Sequence, residues 1–127
     1  MKMGVIRKSL QLIGRRRKSE VECLFDTGAS SSFIRPEVAR ALGLPTTTLL
    51  RPLRIRLGKG STQVSKLAAV MIRLNGATLA DTAYVMPGLT EDYVLGAEFL
   101  ERYEIRLDPK HRRLLLPSKR HLTLILV

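Results

Sequence analysis

Tryptophan is absent from this sequence of 127 residues, and cysteine occurs once, as Cys23. A single cysteine excludes an intramolecular disulfide and a zinc site built from several thiolates. The two histidines, His111 and His121, each lie among basic residues and lack the partners that a metal site requires, so we expect no metal and no cofactor. Cys23 falls on the apolar face of a predicted strand, which indicates a small buried hydrophobic side chain in a reducing compartment.

Long hydrophobic runs are also missing. The chain has no apolar span of about 18 residues, and residues 1–7 contain no apolar run long enough for a signal peptide. Residues 122–127 are almost wholly apolar but too few to cross a bilayer, so we expect the body of the domain or a second subunit to bury them. The sequence therefore predicts a soluble, cytoplasmic protein without a membrane partner.

Acidic residues are scarce, since the sequence has 11 of them against 22 lysines and arginines, which gives a formal net charge of +11. Such a charge would attract polyanions. The basic residues cluster at positions 15–18, 110–113 and 119–120, between apolar segments where solvated hairpin tips are expected. Only three Phe and three Tyr are available to stack on bases, so a nucleic-acid partner is not expected, although a basic nucleic-acid-binding protein remains an alternative.

Short alternating apolar segments separated by strong turn signals indicate one mainly β domain over residues 1–127. Residues 5–13 should pair with a strand at 20–25, and Asn75-Gly76 should turn a strand at 64–74 into a return strand at 79–86. Two short helices are predicted, from Pro36 to Gly43 and over 97–103. Further strands are expected at 33–34, 53–57, 93–95, 105–107 and 114–116. In the strand at 53–57, Leu53, Ile55 and Leu57 should be half-buried and the arginines between them exposed.

The strand at 20–25 delivers a carboxylate, Asp26, directly after Phe25 at the edge of a hydrophobic interior. Desolvation opposes a charge at such a place, so the carboxylate there calls for an explanation. Gly28 is expected to allow backbone geometry that other residues resist. Two interpretations stay open from these residues alone: a catalytic loop, or a carboxylate that only caps the end of a strand.

Three other carboxylates, those of Asp81, Asp92 and Asp108, lie next to turn residues and are expected to be solvated or capping rather than catalytic. The hairpin tip Gly58-Lys59-Gly60 should be mobile, since glycine adds backbone freedom. As an ordinary tip it would need no substrate.

Three segments, in this order, resemble the single-domain retropepsin-like aspartic proteases, a family that includes retroviral proteases and cellular relatives. They are Asp26-Thr27-Gly28-Ala29-Ser30 behind an apolar strand, the Gly58-Lys59-Gly60 hairpin, and Tyr93-Val94-Leu95-Gly96 followed by a helix. The likeness covers about residues 5–116. It implies an all-β closed barrel with one or two short helices, one lobe per chain, assembled as a homodimer.

The resemblance also implies an aspartic endopeptidase in which Asp26 of two subunits activates a water that attacks a peptide substrate. Thr27 would tie the two loops together across the axis, and the Gly28 backbone would donate to the carboxylates. Ala29 would leave the pair without the serine hydroxyl that two-domain relatives often have there. The Gly58-Lys59-Gly60 hairpin would be the flap over the substrate, and Leu95 and Gly96 would form the second wall of the site.

The hairpin differs from the family in carrying Lys59 at its tip and no aromatic residue. We predict that residues 122–127 form a two-fold sheet between subunits. The competing hypothesis is a catalytically inactive protease-like module that dimerises or binds extended peptides, because a fold does not fix a function.

Overall fold

The computed structural model describes residues 5–117, which form nine strands, two short helices and a single 3₁₀ turn at Pro109–His111. The strands are β1 (Val5–Ile13), β2 (Lys18–Asp26), β3 (Ser32–Ile34), β4 (Thr46–Arg56), β5 (Ser61–Leu74), β6 (Ala77–Val85), β7 (Tyr93–Leu95), β8 (Arg106–Asp108) and β9 (Arg113–Leu115). The helices are α1 (Pro36–Leu42) and α2 (Ala97–Arg102). Within residues 5–117, no helix is long and apolar enough to cross a membrane.

Six strands close into a barrel in the order β1-β2-β7-β3-β6-β5, and β5 pairs back to β1 to complete the ring. Strand β4 pairs with β5 alone and lies outside the ring, while β8 and β9 form a separate two-stranded ribbon. Two of the pairings are parallel, β2 with β7 and β3 with β6. The predicted fold class, a mainly β closed barrel with short helices, is confirmed.

The two predicted hairpins form. β1 and β2 pair antiparallel from Val5 opposite Asp26 to Ile13 opposite Lys18. Asn75 and Gly76 both have positive φ, 51° and 81°, as a tight turn between β5 and β6 requires.

The predicted helix α1 begins with proline, whose fixed φ suits the first turn, and ends at Gly43. Gly43 has φ 68°, so the chain leaves the helix through a left-handed residue.

The barrel interior is filled by large side chains that are completely buried, among them Phe25 of β2, Tyr93 of β7 and Phe99 of α2. Cys23 is also fully buried, which confirms its prediction as a core residue. Burial disfavours the thiolate and raises the pKa of Cys23 to about 12, so this thiol stays protonated at neutral pH.

Strand β4 departs from the prediction in extent and in burial. It begins at Thr46 rather than near Leu53, and its register against β5 shifts between Thr48 and Leu53. Of the three apolar residues expected to be half-buried, Ile55 is, but Leu53 and Leu57 are 39% and 40% exposed. Leu53 is exposed because β4 lies at the edge of the sheet and has only one neighbouring strand, and Leu57 lies beyond the end of β4, in the turn of the hairpin. The predicted intersubunit strand at residues 122–127 lies outside the described residues.

Candidate active site

Asp26 is the last residue of β2, and its side chain is partly buried. Its Oδ1 atom accepts a hydrogen bond from the Gly28 backbone N–H at 2.8 Å, and its carbonyl oxygen accepts one from the Ala29 N–H at 3.2 Å. The carboxylate therefore organises its own turn, as the capping interpretation predicts. Because Thr27 and Gly28 are exposed, the turn also presents itself at the surface of the barrel.

The loop after Asp26 is fixed to α2. The backbone N–H of Ala97 donates to the carbonyl of Ala29 at 2.7 Å, and that of Glu98 donates to the carbonyl of Ser30 at 3.1 Å. The Glu98 carboxylate also accepts a hydrogen bond from the Ser31 hydroxyl at 2.9 Å. The first turn of the helix, whose N–H groups have no partner within the helix, thus supplies the donors that hold the loop.

Leu95 and Gly96, the residues expected to form the second wall of the site, lie beside the Asp26 strand and its loop. Leu95 is fully buried and pairs with Phe25 in the parallel register of β2 and β7. At Gly96, a Cβ atom would lie 2.6 Å from the carbonyl carbon of Ser31 and 2.9 Å from the carbonyl oxygen of Ala29. Only glycine fits there without displacing the loop.

Gly28 does not adopt the special backbone geometry expected of it from the sequence. Its φ lies outside the left-handed region, so the conformation does not demand glycine. A Cβ at Gly28 would instead lie 3.2 Å from Asp26 Oδ1, the atom that accepts the Gly28 N–H. Glycine at this position keeps the approach to the carboxylate free.

The β4–β5 hairpin extends away from the barrel and carries Gly58, Lys59 and Gly60 at its exposed tip. Gly60 has φ 73°, and a Cβ at Gly58 or Gly60 would meet only open space. The backbone N–H of Leu57 donates to the carbonyl of Gly60 at 3.1 Å and closes the turn. The predicted hairpin is present, and the space around the two glycines at its tip is open.

A second apolar cluster connects the base of the hairpin with the Asp26 loop. Its buried members are contributed by β3, β5, β7 and the segment after β6: Phe33, Val64, Val94 and Met86. Partly buried side chains from the loop and the hairpin, including Ala29 and Ile55, pack against them. The partly buried members, which reach from beside Asp26 to the hairpin, leave part of their apolar area exposed along this path.

Asp81 is the carboxylate that sequence reasoning placed wrongly. It lies in the middle of β6, only 5% exposed, and its Oδ2 atom accepts a hydrogen bond from the Tyr93 hydroxyl at 2.6 Å. Alternation along β6 could have identified it, because Leu79, Asp81 and Ala83 share the inward face. Burial raises the pKa of Asp81 above its ordinary value of 3.8, and hydrogen bonds from Tyr93 and Ser32 oppose this shift.

Asp92 lies in the loop before β7, and Asp108 is the last residue of β8, next to the 3₁₀ turn. Asp92 pairs with Arg35 at 3.0 Å, and Arg35 also donates to the carbonyls of Leu89 and Thr90, so one guanidinium holds the loop before β7.

Asp108 accepts hydrogen bonds from His111 and Arg113, which lower the pKa of its exposed carboxyl group. In the part of the chain that the structure describes, no group of three or more His, Cys, Asp or Glu side chains could hold a metal ion.

The arrangement presents one carboxylate on a rigid turn, beside an apolar surface and a projecting hairpin. Such a carboxylate can act as a general acid or base, and the apolar surface can bind an extended chain. The sequence contains Asp-Thr-Gly once, so one chain supplies one such carboxylate.

Comparison with known proteins finds a curated relative at modest identity. DNA damage-inducible protein 1 of Neurospora crassa is 26% identical over 91 residues, which is 71% of this chain but 21% of that protein. The chain therefore spans about a fifth of the length of this curated relative.

Two solved structures resemble the fold at 18% identity. The retroviral protease-like domain of Ddi1 from Leishmania major matches with a TM-score of 0.64, over 91% of this chain and 90% of that chain. EIAV protease complexed with the inhibitor HBY-793 matches with a TM-score of 0.63, over 80% of this chain and 92% of that chain. The family model described as gag-polyprotein putative aspartyl protease matches residues 15–102, more than half of the sequence, and the chain belongs to this retropepsin-like aspartic protease family.

Proposed function

We propose that this chain is an aspartic endopeptidase that acts as a homodimer, with a catalytic pair formed by Asp26 of each subunit. The observation that carries the proposal is the placement of Asp26, a carboxylate at the end of a half-buried strand, on a turn held by α2. A carboxylate that only capped the end of β2 would not require the following loop to be hydrogen-bonded to the first turn of α2.

The chemistry requires two carboxyl groups in different protonation states. One must be ionised to take a proton from water, and the other protonated to polarise the scissile carbonyl. A two-fold axis beside Asp26 brings together two copies of the same side chain. Two carboxylates at that distance do not both ionise readily, so the pair shares one proton and titrates as a unit.

Water held between the two Asp26 side chains would attack the substrate carbonyl directly, without a covalent intermediate. Thr27 is exposed beside Asp26, so its hydroxyl is available to bridge the two loops. The Gly28 N–H, which already donates to Asp26, would hold the carboxylates in place. The shared water and the Thr27 bridge need the second subunit, whereas the Gly28 contact forms within one chain.

Substrate would bind as an extended peptide between the apolar cluster and the hairpin. The cluster beside Ala29 offers an apolar surface to side chains, and the hairpin backbone can hydrogen-bond an extended chain. Gly58 and Gly60 allow the tip to close over the peptide and exclude water. Lys59 would then lie over the bound chain.

A digest of a peptide library at acidic and neutral pH tests this function, comparing the wild type with Asp26→Asn. We expect cleavage by the wild type and none by the variant, with both proteins sedimenting as the same species. Equal cleavage by the two proteins would rule out the mechanism. An inactive wild type that still binds extended peptides would favour the peptide-binding module instead.

A further inference from the structure

A basic cavity lies where α1 meets the base of the β4–β5 hairpin. Its volume is about 480 Å³, which is within the range of small-molecule sites. Three of its lining residues are cationic, and each comes from a different part of the chain: Arg16 from the turn between β1 and β2, Arg40 from α1 and Lys66 from β5. Among the described residues, neither the Asp26 loop nor the hairpin tip lines this cavity, so it is separate from the candidate active site.

The three cations are not balanced by carboxylates at the cavity. None of the described residues that line it is Asp or Glu. The ion pairs within residues 5–117 are made by other side chains, and the carboxylates of Glu37 and Asp92 line a different cavity. Three like charges around one cavity repel one another, so an anion bound among them would lower the electrostatic energy.

The end of α1 does not require these cations as caps. The Gly43 backbone N–H donates to the Arg40 carbonyl at 3.1 Å, and the Arg16 N–H donates to the Leu42 carbonyl at 3.0 Å. The second bond also ties the turn between β1 and β2 to the helix. The stem of Arg16 packs on Gly43, where a Cβ would lie 3.0 Å from Arg16 Cδ. Two of the three cations are therefore carried by backbone segments that hold each other in place.

The rest of the lining combines hydroxyl groups with an apolar wall. Thr46 and Ser65, at the base of the hairpin, carry the hydroxyl groups. The wall is formed by small and apolar residues of α1, of the segment after it and of the end of β6, which are Pro36, Ala39, Leu44, Val85 and Pro87. A ligand that fits both halves of the cavity has a compact anionic group attached to an apolar one.

A phosphate monoester matches the basic half better than a carboxylate does. It carries about 1.5 to 2 negative charges at neutral pH and three strong acceptor oxygens, whereas a carboxylate has one charge. The planar guanidinium group donates two parallel hydrogen bonds to phosphate oxygens, and the ammonium group of lysine binds phosphate as a point charge.

We propose that this cavity binds a small phosphate monoester, with the phosphate among Arg16, Arg40 and Lys66 and the organic group against the apolar wall. This site is distinct from the one assigned to peptide cleavage and does not depend on it. It also gives a role to part of the +11 charge that the proposed peptidase chemistry leaves unused.

Calorimetric titration of the full chain with phenyl phosphate, at fixed ionic strength and in a buffer without phosphate, tests the proposal. We expect saturable binding at one site per chain. In NMR spectra, the amide signals of Gly43, Ser65 and Lys66 should move on titration, and that of Gly28 should stay in place. Absence of saturable binding, or shifts that spare the first three amides, would overturn the proposal.

Two variants test the assigned cations. Arg40→Gln and Lys66→Gln should each weaken the binding of phenyl phosphate by about tenfold or more, as expected for the loss of a charge-assisted hydrogen bond. Both side chains are exposed, so Tm should be unchanged. Lys8→Gln is the matched control, because it removes the same charge from an exposed position on β1 outside the cavity and should bind like the wild type. Equal weakening in all three variants would show a general charge effect and overturn the site.

Two other small anions test the chemistry of the ligand. Inorganic phosphate should bind more weakly than phenyl phosphate because it places nothing against the apolar wall, and benzoate should bind more weakly because it has one charge. Equal affinity for either would contradict the proposed match. Binding of a single-stranded RNA oligomer that Arg40→Gln weakens, in a protein that does not bind phenyl phosphate, would show a nucleic-acid contact instead and refute the proposal.

Discussion

Replacing Gly96 with alanine should displace the Asp26 loop. The added Cβ would lie 2.6 Å from the carbonyl carbon of Ser31 and 2.9 Å from the carbonyl oxygen of Ala29. Both are backbone atoms of the loop, so they cannot rotate away as the end of a flexible side chain would. Either the loop or β7 must move.

The magnitude follows from the cost of overpacking. Extra atoms in a well-packed site typically destabilise by about 1–3 kcal/mol. For a domain of this size, a loss of about 2 kcal/mol should lower Tm by roughly 6–12 °C. A displacement of about 1 Å at a catalytic group can reduce the rate by about a hundredfold, so kcat should fall well beyond what partial unfolding explains.

Two glycine variants serve as controls for Gly96→Ala, with Tm read by circular dichroism and kcat measured well below Tm. Gly14→Ala introduces a Cβ 2.9 Å from the carbonyl carbon of Leu42, remote from the loop, and should lower Tm while sparing kcat. Gly58→Ala places its Cβ in open space and should leave Tm unchanged. The explanation would be refuted if Gly96→Ala had the same Tm as Gly58→Ala, or if Gly14→Ala lowered kcat as much as Gly96→Ala does.

Four further outcomes are expected. Arg35→Lys removes the guanidinium group that contacts Leu89, Thr90 and Asp92. Amide hydrogen exchange at residues 87–92 should therefore be faster in the variant, and equal exchange rates would contradict the anchoring role of Arg35. Cys23, buried and with its pKa raised to about 12, should react with a thiol reagent only as fast as the protein unfolds; rapid labelling of the native protein would contradict this. The pKa of Asp81 in the folded protein is raised above 3.8, so folding favours the protonated carboxyl group. The contribution of this group to the free energy of unfolding is therefore complete below pH 3.8, and it is lost as the pH rises through the pKa of the folded protein. The free energy of unfolding, measured by chemical denaturation across this pH range, should therefore depend less on pH in Asp81→Asn than in the wild type. An equal pH dependence in the two proteins would be inconsistent with burial of the Asp81 charge. Deleting residues 122–127 should shift sedimentation towards the monomer, and an unchanged dimer would show that another surface joins the subunits.

Sequence reasoning succeeded where local rules decide the outcome. The period-2 pattern from Val21 to Phe25 specified which side of β2 faces the core, and Asp26 follows at the end of that strand. Asn75-Gly76 and Gly43 demand positive φ, so the turn after β5 and the end of α1 could be read from residue type.

Prediction from the sequence failed where contacts between distant parts of the chain determine the structure. The exposure of Leu53 depends on β4 lying outside the barrel, and the ring itself is closed by β1 and β5, which are far apart in sequence. Asp81 is predicted to be solvated or capping because the sequence pattern suggests flanking turn residues, whereas it lies inside β6 on the side of the strand that faces inward. The hydroxyl of Tyr93, which makes its burial tolerable, comes from another strand of the barrel.

Mixing subunits tests most directly whether one Asp26 loop is half of a catalytic site. Wild-type protein should be allowed to exchange subunits with increasing amounts of Asp26→Asn while peptide cleavage is measured at a fixed amount of wild type. If both Asp26 side chains are required, added variant should suppress cleavage, with activity per wild-type subunit falling in proportion to the wild-type fraction. Activity that stays constant as the variant is added, in samples shown to have exchanged subunits, would contradict a shared catalytic pair.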